Sequence, residues 1–81
     1  MSYTTIHSEI SILTQVIEQK AGTRHINGEL IEEITDIWLP VFRSKECLVN
    51  SIAAVRIALE GEVAACLLCD EYLSALDGMA L

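Results

Sequence analysis

Basic residues are scarce in this 81-residue chain: five Lys and Arg stand against twelve Asp and Glu, a formal net charge of −7. That imbalance excludes direct nucleic-acid binding by phosphate neutralisation, which needs a basic surface. One proline and four glycines exclude collagen-like and flexible-linker character, and 52% apolar residues exclude intrinsic disorder. No uncharged apolar stretch is long enough for a membrane span. The longest are residues 47–55, interrupted by Asn50 and Ser51, and residues 63–69. Residues 1–20 carry Glu9, Glu18 and Lys20 and no apolar run of secretory-signal length. Strand alternation is missing, and Asn27-Gly28 leads into a 3–4 pattern instead of a hairpin strand.

Catalytic motifs are missing as well: there is no G-x-S-x-G, no H-E-x-x-H and no Gly-rich phosphate loop. His7 lies one residue off an apolar stripe and His25 sits in a loop beside Arg24, so both read as solvated. Of the three cysteines, Cys66 and Cys69 form a C-x-x-C whose intervening residues are both leucine. Redox C-x-x-C motifs follow a strand and zinc ribbons need a second pair. Cys47, Cys66 and Cys69 therefore read as small hydrophobes in a reducing, cytoplasmic setting. The expectation is a protein that is not an enzyme and uses no cofactor or metal.

What the chain does have is helical periodicity. Ile6, Ile10, Leu13, Val16 and Ile17 share one face, which predicts a first helix over about residues 5–21. Thr4 or Thr5 can cap it, with Lys20 in the last turn and Gly22 as a stop. Asn27 is a candidate N-cap for a second helix with Glu29 in its first turn. Its apolar residues are Leu30, Ile31, Ile34, Ile37, Trp38 and Val41. Pro40 predicts that this helix ends near Leu39 or kinks there, with residues 40–44 as a link. Ser44 can cap a third helix, with Leu48, Ile52, Val55 and Leu59 as its stripe.

That pattern continues through Val63, Leu67, Leu68, Tyr72 and Leu76, interrupted only by Glu60-Gly61-Glu62. One glycine costs a helix about 1 kcal/mol relative to alanine, so residues 45–76 read as one long helix, with Gly61 as the place for a kink. It would be about 48 Å long at 1.5 Å per residue and would overhang a domain whose radius of gyration is about 12 Å. The overhang is apolar almost all round, and such a surface is not left wet. Residues 1–81 are thus expected to form a single all-α domain of three helices that assembles as a dimeric helical bundle. Ile34, Trp38, Ile52, Val55 and Leu59 are its expected core.

Glu29, Glu32, Glu33 and Asp36 line the polar side of the second helix with no lysine among them. Like charges on successive turns repel by a few tenths of a kcal/mol per pair. This stripe is the candidate partner-binding site, for a basic protein surface. After Arg56 the chain carries Glu60, Glu62, Asp70, Glu71 and Asp77 with no basic residue.

Two resemblances add to this reading. Asn50-Ser51-Ile52-Ala53-Ala54-Val55-Arg56 resembles the prosthetic-group motif of acyl and peptidyl carrier proteins, which implies Ser51 as a phosphopantetheine attachment site. Asn50 replaces the family's aspartate, no glycine precedes it, and Ser51 falls inside a helix. Ile12-Leu13-x-Gln15-x-Ile17, Gly22, Ile26-Asn27 and Leu30-Ile31-x-x-Ile34, followed by the apolar helix from Leu48 to Leu59, resemble the small helical two-component-system connector proteins of enterobacteria, the biofilm and acid-resistance regulators of the YmgB/AriR type. That likeness implies a dimeric all-α regulator acting by protein binding, with no catalytic residue to carry over. The chain is expected to be a small acidic regulatory adaptor working as a homodimer, with a carrier protein modified at Ser51 as the alternative.

Overall fold

Ser44 shows how local chemistry sets the helix boundaries. Its backbone is extended (φ −147°, ψ 154°), and its Oγ accepts from the Cys47 N–H at 3.1 Å, filling one of the unpaired donors of a helix start. The computed structural model describes residues 2–22 and 27–79, with side chains described from residue 9. Among them there is no strand. The elements are α1 (Ser2–Lys20), α2 (Asn27–Glu33), a π-helical turn (Ile34–Trp38), α3 (Leu39–Phe42), α4 (Lys45–Ala58) and α5 (Val63–Asp77). The second, third and fourth of these run end to end as one rod. The Asn27 cap expected from the sequence lies outside the described side chains, as does Ile6.

The second rod does not end at Leu39 as Pro40 suggested; it continues to Phe42. The reason is the π turn. In a straight α-helix every fourth residue drifts about 40° around the axis, since each residue turns 100°. Leu30, Ile34, Trp38 and Phe42 are nonetheless all buried, at 5% exposure or less. The wider turn, closed by the Leu39 N–H on the Ile34 carbonyl, resets the phase and holds all four against the core. Pro40 follows at the start of α3, where its missing N–H leaves no broken bond. Ile31 and Ile37, expected on the apolar face, are exposed. Arg43 ends the rod in the left-handed region (φ 72°), its N–H on the Leu39 carbonyl at 2.7 Å.

The long C-terminal helix is replaced by two helices. α4 ends at Ala58, α5 begins at Val63, and the two pack against each other. The Glu62 N–H bonds the Leu59 carbonyl at 2.8 Å, and the Lys45 Nζ reaches the Met79 carbonyl at 3.1 Å, so the start of α4 lies beside the end of α5. Magnitudes explain the outcome. Breaking a helix forfeits a few hydrogen bonds worth about 1 kcal/mol each, some of them remade in the turn. Folding back buries Ala65, Leu68, Cys69, Tyr72 and Leu76, and each large side chain hidden contributes about 1.5–3 kcal/mol. Much of the apolar surface that suggested an overhang is covered by the chain itself, while Val63 and Leu67 stay exposed. Arg56 of α4 pairs with Asp70 of α5 at 2.7 Å, supplying a counter-charge to the acidic C-terminal segment.

The expected core residues Ile34, Trp38, Ile52, Val55 and Leu59 are buried, joined by Leu13 and Ile17 of α1. α1 and the second rod both lie on the α4–α5 pair. The molecule measures 36 × 30 × 16 Å, a slab two helices deep, because packed axes lie 8–10 Å apart. No helix among the described residues is long and apolar enough to cross a membrane.

The fold-back is open to a distance test. Spin labels at Glu46 and Asp77, both exposed, are expected to lie close together. A continuous helix would separate them by about 46 Å, and a distance in that range would show that α4 and α5 do not pack on each other.

Candidate functional site

Because α1 and the second rod pack on α4 and α5 more than on one another, a groove is left between them. Glu9, Ile12, Val16 and Lys20 form its α1 wall, at helical spacing along one side. Glu33, Ile37 and Val41 form the opposite wall, one residue around the rod from the buried stripe, and Trp38 contributes from that stripe. The groove encloses about 470 Å³ and its surface is almost wholly apolar. Ile12 and Ile37 stand about half exposed within it.

Glu33 closes one end. Its carboxylate forms an ion pair with Lys20 of α1, accepts from the Trp38 Nε1 at 2.6 Å, and accepts from the Tyr72 hydroxyl of α5 at 2.5 Å. In a regular α-helix residues five apart do not face each other; the π turn brings the Trp38 indole round to Glu33. Tyr72 is fully buried, and a buried hydroxyl needs an acceptor. Burial alone would push the Glu33 carboxyl up. The hydrogen bonds from Lys20, Tyr72 and Trp38, with the Lys20 charge, outweigh it and hold the group below the usual carboxylate range. Burial, then the adjacent carboxylate, push the Tyr72 phenol far up. A carboxylate held below its ordinary range, with its oxygens engaged, is an anchor and not a proton acceptor near neutral pH.

The acidic stripe is thereby corrected. Glu29, Glu32 and Asp36 are exposed as expected, but Glu33 is turned inward and belongs to the groove. Sequence reasoning missed it because all four carboxylates share one stretch of helix. A signal was present: Trp38 and Tyr72, one an apolar-face aromatic and the other deep in an apolar helix, each needed a polar partner, and Glu33 flanks the buried stripe.

Ser51 lies in the middle of α4 and is 7% exposed. A serine carrying a long prosthetic arm needs an open helix start, so the site does not fit the carrier alternative. Cys69 is buried, and burial followed by the neighbouring Cys66 and Asp70 pushes its thiol up to about 11. The Cys66 Sγ–H donates to the Leu59 carbonyl at 3.3 Å, as a second donor beside the Glu62 N–H in the turn after α4. Among the described residues no three His, Cys, Asp or Glu side chains come together to hold a metal ion. His25 and the His7 side chain lie outside the described residues.

Comparison of the chain with protein-family models, with curated protein sequences and with solved structures finds no match.

The Glu33 anchor makes a pH prediction. A carboxylate held below its unfolded value, about 4.3, stabilises the fold at pH values above that figure. The contribution is lost as pH falls through the lower folded value. Glu33→Gln is expected to lower stability by about 1–3 kcal/mol at pH 7, and denaturant melts should show the gap from wild type closing on acidification below about pH 4. A gap independent of pH would mean that the charge on the Glu33 carboxylate contributes nothing to stability.

Proposed function

We propose that the chain is a small acidic regulatory adaptor that acts by contact with another protein. The single observation that supports this reading most is the placement of exposed aliphatic side chains, Ile12 and Ile37, in an apolar groove, one wall of which belongs to the rod that carries the exposed carboxylates Glu29, Glu32 and Asp36. Apolar surface held open next to charge of one sign is the makeup of a protein-recognition surface, in which burial gives affinity and charge steers the encounter. The resemblance of residues 12–59 to small helical connector regulators points the same way. In this reading the adaptor is a homodimer, and its second apolar surface serves that role: Ile57, Val63 and Leu67 are 69%, 72% and 60% exposed on α4 and α5. Their charged neighbours Glu60, Glu62 and Asp70 form a rim to such a contact.

The reading is tested by charge reversal. The wild-type chain, immobilised at low salt, is compared with Glu29→Lys/Glu32→Lys/Asp36→Lys and with Glu60→Lys/Glu62→Lys as a control. Loss of a salt-sensitive partner from the first variant and its retention by the control is expected; equal retention by all three overturns the role of the acidic face. Light scattering of the same samples should report a dimer that Val63→Gln/Leu67→Gln dissociates. A wild-type monomer at micromolar concentration removes the homodimer from the proposal.

A further inference from the structure

We infer that the groove between α1 and the second rod is the seat of one basic amphipathic helix, whose apolar stripe enters it while its Lys and Arg residues meet the carboxylates alongside. The inference rests on the adaptor reading and specifies the occupant of its site.

Shape supports a helix. The α1 wall runs from Glu9 to Lys20, about 16 Å at 1.5 Å per residue, and the opposite wall from Glu33 to Val41, about 12 Å. That length takes two to three helical turns, the span of an i, i+3/i+4, i+7 set of apolar anchors. The receiving side chains Ile12, Val16, Ile37 and Val41 are aliphatic, and Trp38 gives the site an aromatic residue held in place by its bond to Glu33. The slot is open without any movement of the four packed helices.

Charge supports a basic occupant. The two elements that form the groove carry Glu9, Glu18, Glu29, Glu32, Glu33 and Asp36, against Lys20 and the Arg43 that ends the rod. Lys20 and Glu33 pair with each other, and among the described residues no ion pair joins the other carboxylates of these two elements. Glu32 and Asp36 lie one residue around the rod from the wall residues Glu33 and Ile37, so they border the slot on its solvent side and are exposed. A second copy of this chain is disfavoured here. Two grooves meeting about a twofold axis would set each acidic border against an acidic partner in a molecule of net charge −7.

The site carries its own reporter, because Trp38 is the only tryptophan. The probes are two synthetic 18-residue helical peptides with the same leucine stripe, one flanked by lysines and the other by glutamates, titrated against the whole chain. The lysine peptide should shift Trp38 fluorescence at micromolar concentration, about tenfold or more tighter than the glutamate peptide, with an affinity that falls as salt rises. Ile12→Gln/Ile37→Gln replaces two half-exposed residues without changing charge, keeps good helix formers, and should weaken the lysine peptide about tenfold or more with the far-UV spectrum unchanged. Glu32→Lys/Asp36→Lys should weaken it comparably and flatten the salt dependence. Equal binding of both peptides, or neither binding, overturns the inference. So does lysine-peptide binding that survives Ile12→Gln/Ile37→Gln; if that binding is still lost in Glu32→Lys/Asp36→Lys, the acidic adaptor surface stands and the helix seat alone fails. A chain that self-associates, and dissociates in Ile12→Gln/Ile37→Gln, would instead assign the groove to a second copy.

Discussion

The Glu33 carboxylate accepts from three helical elements at once, and the arrangement of the groove side of the slab hangs on it. Lys20 ties in the end of α1, Tyr72 ties in α5, and Trp38 fixes the π turn of its own rod. Any one bond of this kind has modest net worth in water. Together they satisfy a buried hydroxyl and an indole N–H that would otherwise each be left without a partner, and no buried side-chain polar atom among the described residues lacks one. A partly buried ion pair is weak evidence for stability but can select one packing over another. Here it sets where the end of α1 meets the second rod.

The groove follows from the same contact. α1 is pinned to the rod near Lys20, while its buried residues Leu13 and Ile17 join the shared core with α4 and α5. Among the described residues no other ion pair or side-chain hydrogen bond joins the two elements, so the slot between them stays open. The apolar slot lies on the same rod as the exposed carboxylates Glu32 and Asp36, and its lining is stiffened at one end by the anchor.

Much of the fold was legible in the residues. The all-helical class, the Ser44 cap, the phase of α4 and the burial of Ile34, Trp38, Ile52, Val55 and Leu59 all follow from spacing and capping chemistry, which are local. Of the candidate site, Glu29, Glu32 and Asp36 were legible as an exposed acidic face. The groove was not, because it depends on how far apart two helices sit, and no periodicity within either one reports that distance.

Local spacing and end capping were enough to establish an all-helical chain and most of its buried stripes, since 3.6-residue periodicity and capping act within a few turns. Tertiary structure alone decided three things. It decided that the apolar C-terminal half folds back on α4, because a surface seeking cover takes the nearest one and intramolecular burial outweighs a few helix bonds. It decided that the second rod passes Pro40 by widening one turn, because four residues at strict four-residue spacing had to reach one core. And it decided that Glu33 leaves the acidic face to become an anchor. A carboxylate goes inward only where other elements bring donors to it, and Lys20 and Tyr72 reach it from thirteen and thirty-nine residues away in the chain.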